Sequence, residues 1–529
     1  MRRLSPLFLV LLAGCSLAPK YERPAMPVPP SWPVGDAYLR ASEASLPTVT
    51  YRDIFRDARL QALIDKALAN NRDLRIAVAN IESARAQYRI QRASLLPTVN
   101  GSARYSYSGG GNGARSTAGS GSTGNSGTGG VGTGTGTGVD TGTGTGGTGT
   151  GGTGTGSTGT VITTGNGNSA FSVDLGITAF ELDLFGRVRS LTGAALSRYF
   201  ATEAAARATR LTLVGDVADA WLTYAADESL LKIAEDTAKS AEVSVRLTEA
   251  RRAGGVSPRT DLRQAQQILF TAQSDVAQQR TQLAQDVNAL QLLVGASIDP
   301  AMLPQSIEEA QGTVAALPAG LDSGVLLRRP DVVQAEYQLR AANAQIGAAR
   351  AALFPRISLT GLVGFASNAL SSLFSGGAFN YSVAPSVSYP IFQAGAGIAN
   401  VRYSEAQRDV LLATYERAIQ IAFQETADAL ARQGTITDQL QANVNNQAAA
   451  LDTYNLTQAR YRGGIDTYLS SLDAQRSLYS AQRTLIATQL TGASNRVTLY
   501  RVLGGDSLLD ATANGPQPVT AIGAPRQDP

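Results

Sequence analysis

The sequence has 529 residues, enough for several domains, but only 6% of them are aromatic, fewer than a compact globular core normally uses. The formal net charge is only +3, which gives no indication of a nucleic-acid partner. The absence of histidine excludes histidine-based triads, histidine metal sites and imidazole acid–base chemistry. We find no pair of carboxylates in a recognisable catalytic setting and no methionine cluster for a metal. The chain is therefore expected not to be an enzyme and to carry no cofactor or metal.

The chain begins with a segment that resembles a lipoprotein signal peptide. Two arginines precede a short apolar run, 4–12, which is too short to span a bilayer. Small residues then precede Cys15, the only cysteine in the sequence, as in a lipobox; an ordinary signal peptide with a chance cysteine is the alternative. Ser16 is typical of lipoproteins sorted to the outer membrane of Gram-negative bacteria. We expect 1–14 to be removed and Cys15 to be acylated, with 15–57 forming the lipid anchor and N-terminal linker.

A helix and two strands are predicted next. The helix, about 58–94, ends before Pro97, because proline cannot continue the helical hydrogen-bond ladder. Apolar and polar residues then alternate, most clearly from Phe171 to Thr178, as in a wall between lipid and water. A small soluble hairpin is the alternative. The segment 108–167 between the strands is almost entirely Gly, Thr and Ser, so it is predicted to be a disordered loop.

A long helix follows the strands, and a shorter helix returns. Residues 187–252 contain no proline, and apolar residues recur every three or four positions, which predicts a helix roughly 100 Å long. Its stripe is mostly Ala and other small residues. That composition favours many helices packed closely in a curved wall over an ordinary coiled coil. A Gly–Gly turn leads into the returning helix, 259–294.

The same order of elements then occurs again. Asp73 and Asp331 lie in two similar segments whose equivalent residues are 258 positions apart, and Gly254 and Gly463 lie in two others that are 209 apart. Two ungapped matches in the same order indicate an internal duplication. The second set of predicted helices and strands covers 323–353, 357–365, 379–383, 395–462 and 468–503. The two predicted repeats cover 58–294 and 323–505. The equatorial segment between them covers 295–322, and the disordered tail covers 506–529.

No apolar run after Cys15 reaches the length of a membrane-spanning helix. Any membrane span is therefore expected to be a β-barrel, and a purely lipid-anchored soluble protein is the other option. Four strands cannot close a barrel alone. Membrane insertion therefore implies a homo-oligomer of two, three or four copies, and the sequence alone does not choose among them.

Several motifs together resemble one family, the TolC-like outer membrane factors, and within it the NodT-type efflux lipoproteins. The resemblance covers about 15–505 apart from the insertion 108–167, and it implies that this loop lies outside the cell. The motifs are Cys15-Ser16-Leu17-Ala18-Pro19, Asn71-Arg72-Asp73-Leu74, Arg329-Pro330-Asp331-Val332 and Ala459-Arg460-Tyr461 with Gly464. It implies a mainly α fold with a small β part: a homotrimer with a long α-helical tunnel in the periplasm and a shared twelve-stranded β-barrel in the outer membrane.

The resemblance also implies a function. The chain would be the outer-membrane channel of a tripartite efflux system, passively conducting small toxic compounds to the exterior. Its partners would be a periplasmic adaptor and an inner-membrane pump, usually of the resistance–nodulation–division class, besides outer-membrane lipid. Type I protein secretion and metal efflux are alternatives within the channel class. A surface adhesin or structural lipoprotein is the alternative outside that class.

The resemblance places the narrowest part of the channel at the two helix turns. Asp473 matches a carboxylate that lines the pore, so three copies would form an acidic ring favouring cations. Asp466 and Arg462 lie at the second turn, where ion pairs would hold the aperture shut, and Asp261 is a weaker candidate at the first turn. For each of these residues the alternative is a solvated surface charge. The expected adaptor contacts at the two turns are Gly254, Gly255, Gly463 and Gly464.

Overall fold

The computed structural model describes residues 16–33, 50–108, 168–315 and 323–518. The predictions for the signal peptide, for Cys15 and for nearly all of the Gly/Thr-rich insertion lie outside these residues. Among the helices that are described, none is long and apolar enough to cross a bilayer.

Helices make up most of the described chain. In chain order they are α1 (Tyr51–Ile54), α2 (Ala58–Asn70), α3 (Arg72–Ala93), α4 (Arg187–Ala253), α5 (Arg259–Val294), α6 (Ile307–Gln311), α7 (Pro330–Ala351), α8 (Ala396–Arg462) and α9 (Tyr468–Val502). The strands are β1 (Val99–Ser108), β2 (Asn168–Glu181), β3 (Arg356–Ser367), β4 (Phe379–Ser388), β5 (Leu509–Thr512) and β6 (Gly515–Pro518).

The two halves of the chain fold alike. Helices α3 and α7 each have 22 residues, and their first residues, Arg72 and Pro330, are 258 positions apart. Helices α4 and α8 each have 67 residues, and Arg187 and Ala396 are 209 positions apart. These are the same two separations that the sequence shows, so equivalent residues can be compared position by position.

The first predicted helix, 58–94, differs in the structure, where it is two helices separated at Asn71. The Asn71 side chain accepts a hydrogen bond from the backbone N–H of Leu74 at 3.0 Å, which caps α3. Its amide nitrogen donates to the carbonyl of Leu293 at 2.9 Å. An asparagine side chain that competes with the helical ladder and is tied to a neighbouring helix breaks the helix here.

The second predicted helix, 323–353, also begins differently. A short 3₁₀ helix covers Ser323–Arg328, and the α-helix starts at Pro330. Proline is favourable at the first position of a helix, where its missing N–H has no partner to lose.

The predicted disordered tail begins too early. Residues 509–518 form the antiparallel pair β5–β6. Leu509 is fully buried beside Val333 and Tyr337, and the Tyr337 hydroxyl donates to the carbonyl of Thr512 at 2.6 Å. Prolines are tolerated in β6 because this strand has only one neighbour in its sheet.

The chain divides into two compact units. Unit 2 comprises Pro97–Glu181 and Ser358–Ser386, and it holds a sheet of four strands in the order β1-β2-β3-β4. The β2–β3 pairing is antiparallel, with an irregularity between Ile177 and Phe180. The two edge strands, β1 and β4, each have one neighbour in this sheet.

Unit 1 holds the helices. Its largest core lies where α2, α5 and α9 pack against the middle of α4, with Trp221 and Tyr500 almost completely buried. Helix α4 packs against α3, α5, α7 and α9, and α8 packs against α7 and α9. Away from that core the buried residues of α4 are mainly alanine, which allows the helix axes to approach closely.

Residues 16–33 form an N-terminal strap that contacts α7 and α8. The side-chain amide of Asn343 donates to the carbonyl of Pro19 at 2.7 Å. Gly347 lies so close to Ala18 that a Cβ built on the glycine would be 2.6 Å from the Ala18 Cβ. The Trp32 ring stacks on Phe423, with 4.9 Å between the ring centroids. The segment after the expected lipid anchor is therefore packed against the helices.

Candidate functional site at the helix turns

The first turn, between α4 and α5, depends on its glycines. Gly255 has φ +72°, a conformation that residues with a side chain rarely adopt. The backbone N–H of Val256 donates to the carbonyl of Arg251 at 2.9 Å, and that of Gly254 donates to Ala250 at 3.0 Å. These bonds satisfy carbonyls left open at the end of α4.

The second turn, between α8 and α9, repeats this geometry. Gly464 has φ +74°, and the N–H of Ile465 donates to the carbonyl of Arg460 at 2.9 Å. All four turn glycines are exposed, namely Gly254, Gly255, Gly463 and Gly464. The structure therefore places the predicted adaptor-contact glycines at two solvent-facing turns of equal shape.

In each turn a carboxylate accepts a hydrogen bond from a serine hydroxyl. The serine comes first along the chain in the first turn, and the aspartate comes first in the second turn. In the first turn Asp261 accepts a hydrogen bond from the Ser257 hydroxyl at 2.7 Å. In the second turn Asp466 accepts from the Ser470 hydroxyl at 3.1 Å, and Ser257 and Asp466 are equivalent positions 209 apart. Asp261 and Asp466 thus brace the first turns of α5 and α9.

Asp466 has a partner within its own chain, Arg460, that the sequence analysis did not name for it. Its carboxylate accepts from the Thr467 backbone N–H at 2.9 Å and lies 3.2 Å from Nε of Arg460. These hydrogen bonds lower the pKa of Asp466, the backbone contact contributing most. Arg462 is exposed, and its guanidinium makes no ion pair with the described part of its own chain. Within one chain, therefore, Asp466 is held by Arg460, six residues before it, and not by Arg462.

Arg251 joins the two turns and was missed by the sequence analysis. Its Nη1 donates to the carbonyl of Tyr461 at 3.1 Å, and its guanidinium carbon lies 4.5 Å from the centroid of the Tyr461 ring. A cation is favourable at the end of α8, where the helix dipole is negative. The duplication could have pointed to Arg251, because Arg251 and Arg460 are equivalent positions. Arg460 has the carboxylate of Asp466 across its own turn. The position equivalent to Asp466 in the first turn is Ser257, which has no charge, and Arg251 contacts the second turn instead.

Apolar contacts support the same junction. Tyr461 and Tyr468 pack with their ring centroids 5.3 Å apart, and both are buried with Leu472 and with Ala265 of α5. Burial raises the pKa of Tyr468 to about 12, so its hydroxyl stays protonated at neutral pH. We call Arg251 and these four residues the tip cluster, because they hold the first turn against the second.

Asp473 lies on α9 immediately after this cluster. Its neighbours Leu472 and Ala474 are buried, whereas Asp473 itself is exposed. Among the residues that the structure describes, its carboxylate has no ion pair or hydrogen bond. No group of three or more acidic, histidine or cysteine side chains in the same described residues is placed to hold a metal ion.

Comparison with known proteins gives consistent results. The sequence model of the family described as "Outer membrane efflux protein" matches residues 63–296 and 322–505. The solvent efflux pump outer membrane protein SrpC of Pseudomonas putida is 42% identical over 512 residues, covering 94% of this chain and 97% of SrpC. The antibiotic efflux pump outer membrane protein ArpC of the same species is 42% identical over 499 residues, covering 94% and 93%.

A solved structure of an outer membrane channel also matches the fold of this chain. The open state of the MtrE outer membrane channel of Neisseria gonorrhoeae matches with a TM-score of 0.75 and 34% sequence identity. The match covers 93% of this chain and 98% of MtrE.

Proposed function

This chain belongs to the outer membrane efflux protein family, and from that membership we propose that it exports small toxic compounds as the outer-membrane end of a three-part pump. Its place in the outer membrane and its role as an efflux channel follow from the family. The prediction of a TolC-like efflux channel is confirmed, and the adhesin alternative is wrong.

We propose the partners from the family and from the surfaces that one chain leaves open. Members of the family form trimers and work with adaptor and inner-membrane pump components. For this chain we propose a homotrimer that pools the strands of three sheets into the expected twelve-stranded barrel. The unpaired edges of β1 and β4 support this proposal, since exposed sheet edges readily accept another strand. The exposed turn glycines would meet a periplasmic adaptor, and the pump would be of the resistance–nodulation–division class.

The proposed cargo follows from the relatives. SrpC is named for solvents and ArpC for antibiotics, and both match over almost the whole chain. We therefore propose organic solvents and antibiotics as the exported compounds. The alternative of metal efflux lacks support in the chain, which has no histidine and three methionines.

The test is a strain that lacks this chain, exposed to toluene, several antibiotics, and copper and silver salts. We expect greater sensitivity to the organic compounds, restored by the wild-type gene, with unchanged metal tolerance. Loss of metal tolerance alone, or loss of a secreted protein alone, would contradict the proposed cargo and favour the metal or type I secretion alternative.

We propose that the tip cluster holds the periplasmic entrance closed. Any opening that separates α8 and α9 from α4 and α5 must break the Arg251–Tyr461 contact. Asp473 is proposed to face the pore as an acidic ring in the trimer. Arg462, unpaired within the described part of its own chain, is proposed to contact a neighbouring copy there.

We also propose that Cys15 is acylated. Support comes from the sequence, where small residues precede Cys15 as in a lipobox and Cys15 is the only cysteine. Mass spectrometry of the mature N-terminus is expected to show lipid-modified Cys15 with 1–14 absent. A mature protein that begins elsewhere without lipid would disprove this.

A further inference from the structure

A cavity of about 210 Å³ lies where α4, α5 and α9 meet. Helix α4 contributes Thr237 to its wall. The other lining residues come from α5 and α9, and they are Gln267, Ile268, Thr271, Ala272, Asp275, Gln475, Arg476 and Tyr479. Sites for small molecules are concave and largely preformed in this way.

The polar groups of the cavity wall already have partners. The Tyr479 hydroxyl donates to Oδ2 of Asp275 at 2.7 Å, and the Thr271 hydroxyl donates to the carbonyl of Gln267 at 2.9 Å. Among the described residues, no side chain that lines the cavity has a buried oxygen or nitrogen without a hydrogen bond. Burial raises the pKa of Tyr479 to about 12, so its hydroxyl remains a donor at neutral pH. Because no buried group requires a hydrogen bond from a ligand, the cavity favours an apolar molecule.

The charges around the cavity favour a neutral ligand. Asp275 and Arg476 line it with opposite signs, so its lining carries no net formal charge. The guanidinium carbon of Arg483 lies 5.5 Å from the centroid of the Tyr479 ring. One side of this ring thus already has a cation, and a second, organic cation would be repelled from it. A neutral ring can instead pack against Ile268 without separating any charges.

We propose that this cavity binds one molecule of a monocyclic aromatic hydrocarbon such as toluene. An apolar cavity of about 150 Å³ is enough to hold benzene, so about 210 Å³ accommodates a ring with one methyl group. The ring would lie against Ile268 and Ala272 and meet Tyr479 edge-to-face or offset-stacked, as aromatic pairs prefer. The inference rests on the proposed export of organic solvents and names a contact that such a compound makes within the protein.

The cavity lies beside the residue that is proposed to face the pore. Arg476 follows Asp473 by three positions on α9, so the two side chains lie on the same side of this helix. Both residues are exposed. The proposed pore-facing side of α9 therefore gives an exported compound access to the cavity past Arg476.

The duplication supplies an internal comparison. The position equivalent to Tyr479, 209 residues earlier, is Phe270, which is 62% exposed. Phe270 lies in a more open groove that, among the described residues, α5 alone lines. An aromatic side chain without walls from two further helices is not expected to hold toluene.

Anomalous diffraction from crystals of the full chain soaked with iodobenzene, in which iodine replaces the methyl group of toluene, tests the site directly. We expect one iodine peak per chain in the cavity and none beside Phe270. Thr271→Phe places a ring in the cavity and is expected to remove the peak. The matched control is Ala277→Phe, at an exposed position of α5 that does not line the cavity, and it is expected to keep the peak. Iodine peaks only elsewhere, or an unchanged peak in Thr271→Phe, would overturn the inference.

Cysteine protection tests the same binding in solution. Thr271→Cys is labelled with N-ethylmaleimide, and we expect saturating toluene to slow the labelling several-fold. Ala277→Cys is expected to react at the same rate with and without toluene, and the wild-type protein reports any reaction of Cys15. Equal labelling rates of Thr271→Cys with and without toluene would also overturn the inference.

The outcomes separate this inference from the proposed cargo. A deletion strain that is sensitive to toluene, together with a cavity that takes up no iodobenzene, would overturn the inference and leave the cargo standing. Iodobenzene in the cavity, together with a deletion strain as tolerant of toluene as the wild type, would uphold the site and contradict the cargo.

Discussion

Glu336 is the most deeply buried charge among the described residues, and it fixes the N-terminal strap to α7. Its Oε1 accepts hydrogen bonds from the Tyr21 hydroxyl at 3.2 Å, from Nε of Arg23 at 3.2 Å and from Nη2 of Arg340 at 2.8 Å. The side chain has no exposed surface. Removal of this carboxylate is costly, because Arg340 then loses its counter-charge and Arg23 keeps only the longer contact with Asp510 at 3.8 Å.

Replacing Glu336 by alanine is expected to loosen the strap and to lower the free energy of unfolding by up to about 3 kcal/mol, since Arg23 is partly screened by solvent. Limited trypsin digestion after Lys20 is the direct measurement, and faster cleavage is expected. The control is Glu235→Ala, which breaks the exposed pair with Arg280. Cleavage at the wild-type rate in Glu336→Ala would show that the carboxylate does not hold the strap.

At Asp473 the prediction concerns charge alone. Three carboxylates near the axis of a trimer would attract cations and repel anions. Asp473→Asn keeps the side-chain volume and is expected to lower the cation-to-anion permeability ratio in bilayer recordings. Asp236→Asn, which removes a charge paired with Lys239 on α4, is the control. An unchanged ratio for Asp473→Asn would place this residue away from the pore.

At the scale of elements, two helices of the same origin have different partners. The strap contacts α7 at Glu336 and Gly347, whose equivalents on α3 are Val78 and Arg89. Valine offers no carboxylate to Arg23, and arginine would occupy the space that Ala18 takes beside Gly347. These two differences explain why the strap binds the second repeat.

Two glycines in helices allow a matched substitution. A Cβ at Gly347 would lie 2.6 to 2.8 Å from atoms of Ala18, whereas a Cβ at Gly193 of α4 would meet nothing within 4 Å. Gly193→Ala is expected to stabilise the protein by about 0.5–1 kcal/mol in thermal melts, from helix propensity and a less flexible unfolded chain. Gly347→Ala is expected to release the strap to trypsin instead. Equal protection of the strap in both variants would refute the close contact.

The packing of α4 beside α9 predicts a pH dependence. Burial raises the pKa of Asp219 from 3.8 to about 6, although contacts with Ser494 and Arg501 partly oppose this, and its Oδ1 has no hydrogen-bond partner. The folded state thus binds this proton more tightly than the unfolded state does. The contribution of Asp219 to stability therefore falls as pH rises from about 4 to 6. In Asp219→Asn the thermal midpoint is expected to change less between these pH values, and an unchanged slope would contradict the assignment.

Helix positions were largely predictable because their signals are local. Glycine pairs and prolines marked the ends of α4, α5, α8 and α9 to within one or two residues. The break at Asn71 and the β5–β6 pair were not predictable in this way. Both depend on contacts with residues more than 150 positions away, at Leu293 and Tyr337.

At the scale of the whole molecule, the two repeats have the same order of helices and strands, but their side chains differ. The turns kept their glycines, so their shape was predictable from the sequence. The carboxylate and hydroxyl exchanged places, and Arg251 thereby became the link between the turns. The pairing of Asp466 with Arg460 and the bridge from Arg251 to Tyr461 both depend on distances that sequence spacing does not reveal.

The chain belongs to a family of efflux channels, and we propose that Arg251 holds the entrance of its channel closed. Single-channel conductance of the purified protein in planar bilayers tests it most directly, comparing wild type, Arg251→Ala and Arg252→Ala. Arg252 carries the same charge, is exposed and lies next to Arg251. We expect small closed-state conductance for wild type and Arg252→Ala, and a several-fold increase for Arg251→Ala with the trimer intact. Equal conductance in all three proteins, or no channels at all, would contradict it.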